Sequence, residues 1–310
     1  GAPREGALAG RRGGCCGRVI YCRIRMDEPL RKANLETSAI NQAEAASVTG
    51  GVLADTLKTM GYRPVIGLHT IYELGRAFLN RPHDEKARRR FCILRDLEPS
   101  FVPLVADLLH QEILKLRTGA AVLPFLNHLD HISTQQEINQ MANGTISPKG
   151  EKFIRDREQA MQRDLPVQSQ AYLRHVAEVK AGNPAIQRMR TFEQVLSYFS
   201  GDLAGLIREI LKNTVSQTEA DELAARLDSF PALRSVVRAN VYRCFIHIAH
   251  EQPAGKDKIS DPRQVIDASY SDALVTNDRQ LVRLAQQINP DLTVLPWKRL
   301  VTAKAGAAPS

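Results

Sequence analysis

Short apolar runs alternate with helical patterns in two separate parts of this chain, residues 31–105 and 256–300. Runs such as 64–68 (Pro-Val-Ile-Gly-Leu) suit strands that are buried on both faces of a parallel sheet. Between the two parts, residues 106–250 follow an almost wholly helical pattern. Because strands that alternate with helices predict a parallel sheet with helices on both faces, we expect an α/β fold with a large helical insertion.

The alternation predicts five strands, at residues 31–37, 64–68, 101–105, 273–276 and 292–295. The helices expected between them cover residues 42–60, 70–79, 84–98, 262–270 and 279–288. The expected organisation is a basic disordered leader (1–25), a first α/β part (26–105), the helical insertion (106–250), a second α/β part (251–302) and a flexible tail (303–310).

The formal net charge of +8 suggests a nucleic-acid partner. Residues 1–25 hold six Arg and one Glu, however, so the remaining residues carry only +3 and the charge is weak support. Arg88, Arg89 and Arg90 are candidate RNA-phosphate contacts, although a run of charges is more often a solvated helix face.

The cysteine pattern and the hydropathy pattern bear on the compartment. Five scattered Cys do not form a disulfide framework and are typical of reduced thiols in a cytoplasmic protein. No stretch of about 18 apolar residues occurs, so we expect no membrane span.

Four acids stand next to predicted strand ends: Glu36 after the first strand, Glu73 in the helix after the second, Asp261 before the fourth and Asp278 after it. Because ligand sites in open α/β sheets lie at the carboxyl ends of the strands, we expect these carboxylates to converge. Converging carboxylates repel one another unless a cation neutralises them, and oxygen ligands favour Mg²⁺ or Mn²⁺.

Each of these acids also has a purely structural explanation. Glu73 has the capping-box spacing from Thr70. Asp261 precedes Pro262, as a helix N-cap would, and Asp278 suits the start of a helix. The joint placement favours a functional site, because separate structural roles do not require four acids to share one edge of the sheet.

Three segments resemble motifs of PIN-domain ribonucleases. Segment 35–39 (Leu-Glu-Thr-Ser-Ala) is similar to the Asp-Thr-Asn/Ser strand end of that family. Segment 68–74 (Leu-His-Thr-Ile-Tyr-Glu-Leu) is similar to its second motif, in which a helix carries a Glu. The run from Asp261 to Asp278 resembles the part that holds the third and fourth acids, and it is the most specific of the three.

The resemblance implies a PIN-like three-layer α/β fold and a metal-dependent endoribonuclease. Glu36, Glu73, Asp261 and Asp278 are then the catalytic residues and the ligands of Mg²⁺ or Mn²⁺. The supporting residues that it implies are Thr37, Asp272, Thr276 and Asn277. The chain departs from the family at Glu36, where Asp is usual, and in the length of the helical insertion.

The sequence hypothesis is a cytoplasmic hydrolase that cleaves RNA phosphodiester bonds, of the kind found among prokaryotic toxins and defence effectors. The expected partners are RNA, a protein inhibitor or complex partner, and a second copy of the chain, without a membrane. The alternative is an inactive PIN-like scaffold that binds RNA or protein through its insertion, which the Glu at position 36 favours. A weaker alternative is a structure-specific DNA nuclease.

Overall fold

A computed structural model describes residues 29–81, 83–182, 184–250 and 257–300. Its strands are β1 (Arg31–Leu35), β2 (Tyr62–Gly67), β3 (Ser100–Val102), β4 (Ala273–Thr276) and β5 (Thr293–Pro296). Its helices before residue 145 are α1 (Thr37–Ala45), α2 (Gly50–Thr59), α3 (Leu68–Asn80), α4 (Glu85–Leu97), α5 (Val105–Thr118) and α6 (His128–Ala142). The later helices are α7 (Pro148–Gly182), α8 (Phe192–Phe199), α9 (Leu203–Ile210), α10 (Gln217–Ala225), α11 (Pro231–His250), α12 (Asp257–Asp267) and α13 (Arg279–Ile288).

The strands form one parallel sheet in the order β3-β2-β1-β4-β5, so the predicted α/β class with a parallel sheet is confirmed. The central strand β1 pairs with β2 on one side and with β4 on the other, although β4 begins 238 positions after β1 ends. In the β1–β4 register Leu35 lies opposite Val275. The residues that follow these two, Glu36 and Thr276, therefore come side by side at the carboxyl edge of the sheet.

Successive side chains of a strand point to opposite faces of the sheet, so buried strands give the sheet two apolar faces. Helices pack on both of these faces. Leu35, Ile66 and Val275 belong to the core on the face that α1, α2 and α4 cover. Leu274 belongs to the opposite core, with residues of α11, α12 and α13. Val65 packs on that side with α5 and α11. The insertion contributes to both cores, because α6 and α7 supply residues to the first.

A buried acid joins the insertion to the sheet. Glu112 of α5 accepts hydrogen bonds from the N–H groups of Ala232 and Leu233 at the start of α11, both at 2.8 Å. The hydroxyl of Tyr270, which lies just before β4, donates to the same carboxylate at 2.6 Å. Burial raises the pKa of Glu112 in spite of these donors. One side chain therefore ties together two insertion helices and the turn that leads into β4.

Two predicted elements in the second α/β part are confirmed to the residue, β4 at 273–276 and α13 at 279–288. The predicted helix at 42–60 is wrong as a single element, because α1 and α2 are separate helices. Between them Ser47 adopts a left-handed backbone conformation with φ 54°, which ends the first helix without a glycine. The first strand also ends at Leu35, two residues earlier than predicted.

The expectations for the leader at 1–25 and the tail at 303–310 lie outside the described residues. Within the described parts of the chain, no helix is both long enough and apolar enough to cross a bilayer.

Candidate functional site

Glu36 directly follows β1 and is the N-cap of α1. Its carboxylate accepts hydrogen bonds from the N–H of Ser38 at 2.7 Å, the N–H of Ala39 at 3.2 Å and the Ser38 hydroxyl. The Thr276 side chain also hydrogen-bonds to Glu36, whose pKa is nevertheless raised, chiefly by burial. Both carboxylate oxygens of Glu36 therefore face the first residues of its own helix. Only 4% of Glu36 is exposed.

Glu73 of α3 receives donors from two other segments. The Thr37 hydroxyl donates to Oε2, and Gln264 Nε2 donates to the same oxygen at 2.8 Å. His69 Nε2 lies 3.3 Å from Oε1, and the Glu73 side chain is 23% exposed. Burial is the largest effect and acts to raise the pKa of Glu73, but its neighbours His69, Thr37 and Arg76 together outweigh burial, so the pKa falls. Glu73 is therefore an ionised, partly accessible carboxylate at neutral pH.

Gln264 is a site residue that sequence reasoning missed. Its Nε2 also donates to Thr37 Oγ1 at 3.2 Å, and its Oε1 accepts from Thr70 Oγ1 at 3.1 Å. The predicted helix start at Thr70 is wrong, because α3 begins at Leu68 and Thr70 is buried within it. Because Thr70 is not the N-cap, the explanation of Glu73 as its capping-box partner is also wrong. The sequence signal that could have identified Gln264 is its position three residues after Asp261, because residues three apart lie on the same side of a helix.

Asp261 lies inside α12, so the expected N-cap with Pro262 at the first helical position is wrong. The helix begins at Asp257 and contains Pro262 in its interior. Asp261 is partly exposed and stands one turn before Gln264, on the same side of the helix. Its backbone therefore lies next to the residue that binds Glu73.

Asp278 is the N-cap of α13, and its Oδ1 accepts from the N–H of Gln280 at 2.7 Å. This confirms its helix-start role, while the residue as a whole stays exposed to solvent. Its own N–H donates to Thr276 Oγ1 at 3.0 Å, and the N–H of Asn277 donates to Ser38 Oγ at 3.2 Å. The segment after β4 is thus hydrogen-bonded to the start of α1.

Asp272 is not at this edge. It precedes β4, and its Oδ2 accepts from the N–H of Lys32, near the start of β1, at 2.6 Å. The expected supporting role of Asp272 in the site is therefore wrong. Its carboxylate fixes the amino end of the β1–β4 pair instead.

The arginines at 88–90 lie on α4. Arg89 pairs with Glu85 at 2.6 Å and Arg90 with Glu44 at 4.0 Å. Glu44 belongs to the last turn of α1, a helix that begins at the site and runs away from it. These pairings support the solvated-face interpretation of the run.

Asp267, at the end of α12, received no role from the sequence. It is 1% exposed, and among the described residues no side chain hydrogen-bonds to its carboxylate, although the backbone of His69 interacts with it. A Cβ at Gly67 would meet its Oδ2 at 2.1 Å, so a larger residue where β2 runs into α3 would displace the Asp267 carboxyl. Burial raises the pKa of Asp267 to about 8, against the opposing charges of Arg157 and Arg263.

The structure brings Glu36, Glu73 and Asp278 to one edge, but the described residues contain no group of three His, Cys, Asp or Glu side chains placed to hold a metal ion. The capping bonds of Glu36 are one reason. Mg²⁺ is often held by only one or two carboxylates with substrate phosphates and water. Glu73 and the exposed Asp278 are compatible with that second mode.

No family model, curated protein or solved structure matches this chain.

Proposed function

We propose that the chain is a metal-dependent endoribonuclease with a PIN-like fold, acting at the carboxyl edge of β1, β2 and β4. The observation that carries the proposal is the hydrogen-bonded network around Glu73. It joins Thr37, Gln264 and Glu73 from three distant segments, and each of these segments resembles a motif of the family. A metal site needs an ionised carboxylate that is partly open to solvent and fixed in place by hydrogen bonds. A residue that serves only the packing of the core does not need one.

Each residue of the site has a distinct task in this proposal. Glu73 and Asp278 would hold Mg²⁺ or Mn²⁺ together with phosphates of the RNA, and Asp261, one helical turn before Gln264, would contribute through water. The bound ion supplies an activated water and neutralises charge on the phosphodiester. Thr37 and Gln264 fix the Glu73 carboxylate by donating to one of its oxygens.

The test is cleavage of labelled single-stranded RNA, with single-stranded DNA in parallel, in Mg²⁺, Mn²⁺ or EDTA. Glu73→Gln and Asp278→Asn are each expected to slow RNA cleavage by about 100-fold or more, because each removes a charge that holds the ion. Glu85→Gln is the control, since its carboxylate is exposed and pairs with Arg89 on the same helix. Absence of metal-dependent cleavage, or wild-type rates in both site variants, would refute the proposal, and faster DNA cleavage would favour a DNA nuclease.

A second candidate is an inactive scaffold that binds RNA or protein, and the capping bonds of Glu36 favour it. Asp278 shows that an Asp N-cap can use one oxygen alone, because Oδ1 accepts from both Gln280 and Leu281. Glu36→Asp should therefore leave one oxygen free for a metal ion.

Calorimetric titration with Mn²⁺ separates the two candidates. The nuclease proposal expects wild-type protein to bind Mn²⁺ and Glu36→Asp to bind it more tightly, while Glu36→Gln, which keeps the length but loses the charge, binds no better than wild type. The scaffold expects no binding by any of the three proteins.

A further inference from the structure

A cavity lies within the insertion, where α8, α9 and α11 meet. Its volume is about 160 Å³, and most of its lining is apolar, with Phe199 of α8, Leu206 of α9 and Val241 of α11. An apolar cavity of ~150 Å³ can take up a benzene molecule. The cavity therefore has room for one apolar group of that size.

A second and wider cavity adjoins the first. Its volume is about 460 Å³, and Phe199, Leu206 and Glu209 line both cavities. Tyr198, which also lines the second cavity, packs edge to face on Phe199 with ring centroids 5.3 Å apart. Sites for small molecules usually measure about 300–1,000 Å³ and are mostly apolar with a few polar groups. The two adjoining cavities match that description.

Two side chains of the first cavity offer hydrogen-bond acceptors. Glu209 of α9 is exposed, and its carboxylate accepts no hydrogen bond and forms no ion pair among the described residues. Asn240 of α11 donates from Nδ2 to the carbonyl of Val236 at 2.8 Å, so its Oδ1 stays available to a ligand. Arg208, beside Glu209 in the chain, donates from Nη1 to Gln217 Oε1 at 2.9 Å and does not pair with Glu209. The first cavity therefore combines an apolar lining with a carboxylate that a ligand can reach.

The charge of this region favours a cation. Glu209 lies in the last turn of α9, where the negative end of the helix dipole makes an acid unfavourable. Asp202, the N-cap of α9, adds a second acid to the lining of the wider cavity. No Lys, Arg or His stands among the described residues that line either cavity. A cationic ligand offsets the unfavourable position of Glu209, whereas an anion would meet two acids.

An ammonium group with an apolar substituent meets these requirements. It carries a positive charge, and its N–H groups can be shared between the Glu209 carboxylate and Asn240 Oδ1. A hydrogen bond between an ammonium and a carboxylate is among the stronger ones in proteins. The rings of Tyr198 and Phe199 also attract a cation that approaches their faces. A neutral apolar molecule would use the apolar lining but gain little from the two acceptors.

We propose that these cavities bind an amphiphilic organic amine. Its ammonium group lies at Glu209 and Asn240, and an apolar group the size of a benzene ring packs between Phe199, Leu206 and Val241. None of these residues belongs to the site at the carboxyl edge of the sheet. Binding of the amine is therefore independent of the proposed nuclease activity, and it gives the helical insertion a ligand of its own.

The test is a fluorine NMR titration of the full chain with para-fluorophenethylamine. The matched neutral probe is para-fluorophenethyl alcohol, which has a hydroxyl in place of the ammonium group. The amine is expected to bind about ten-fold more tightly than the alcohol, because only the amine pairs with the carboxylate. Glu209→Gln should weaken binding of the amine by about ten-fold and leave binding of the alcohol unchanged. Leu206→Trp, which places a large ring where the two cavities adjoin, should abolish binding of both probes.

Glu222→Gln is the matched control, because Glu222 is an exposed acid of α10 that pairs with Arg226 at 2.7 Å. It removes the same charge, so it should bind both probes as the wild type does. Far-UV circular dichroism checks folding. If Leu206→Trp does not fold, the comparison of Glu209→Gln with Glu222→Gln decides the question, since both side chains are exposed. Absence of amine binding, equal amine affinities in those two variants, or equally tight binding of the alcohol to the wild type would each overturn the inference.

Discussion

At the scale of single residues, the carboxyl group of Asp267 has a very different environment in the folded and the unfolded protein. Its carboxyl group is enclosed where α12 meets Gly67 at the end of β2. Burial raises its pKa to about 8 in the folded protein, whereas an Asp in an unfolded chain titrates near 4. The folded protein therefore keeps a proton at neutral pH that the unfolded chain has lost.

This difference predicts a pH dependence of stability. Between about pH 4 and pH 8 the folded state binds more protons, so the free energy of unfolding falls as pH rises, by up to about 1.4 kcal/mol per pH unit from this group. Asp267→Asn cannot lose a proton and should show a flatter profile, measured by urea unfolding at pH 5 and pH 7.5. Asp228→Asn, whose side chain is 93% exposed, is the control. Parallel profiles for Asp267→Asn and wild type would contradict the assignment.

At the scale of helices and strands, the packing of α2 on α4 depends on one glycine. A Cβ at Gly50 would meet the carbonyl oxygen of Ile93 at 2.1 Å and the nitrogen of Leu97 at 2.6 Å. Both are backbone atoms of α4, which cannot rotate away as a side chain end can. A Cβ at the next residue, Gly51, would meet nothing within 4 Å.

Adjacent glycines thus provide a matched pair of substitutions. Gly50→Ala should lower the free energy of unfolding by about 1–3 kcal/mol, because the two helices are forced apart. Gly51→Ala should raise it by about 0.5–1 kcal/mol, because alanine favours a helix where space allows. Chemical denaturation of both variants measures the difference, and equal stabilities would show that α2 and α4 are not packed as described.

The elements that the sequence predicts best are those whose signals are local. The apolar run of β4 stands between polar residues, and Asp278 marks the start of α13, so both ranges match the structure. The break between α1 and α2 escaped prediction, because Ser47 takes a left-handed conformation with no glycine or proline to announce it. The role of Gln264 also escaped, since it depends on contacts with two other segments.

At the scale of the whole molecule, the residues between β3 and β4 are part of the sheet's core. Periodicity predicted helices there but could not show which apolar faces meet the sheet. In the structure Leu108 and Ala232 pack with Val65 and Val102 of the strands. Glu112 adds buried hydrogen bonds between α5 and α11.

Shared cores predict that the insertion and the sheet unfold together. Trp297, the only tryptophan, is buried in the sheet's first core, so its fluorescence reports on the sheet. Far-UV circular dichroism reports mainly on the helices, many of which lie between residues 105 and 250. The two thermal midpoints should coincide, as for one cooperative unit. Loss of helix signal at a lower temperature than loss of the tryptophan signal would show an independent insertion.

The pairing of β1 with β4 has a consequence for the order of folding during synthesis. The central strand can pair with β2 soon after it is made, but its other edge has no partner until residue 273 has emerged. An unpaired strand edge can pair with another chain. Translation adds only about 5–20 residues per second, so the edge stays unpaired for many seconds. The emerging chain therefore carries an unpaired edge of β1 from the synthesis of β1 until β4 has been made.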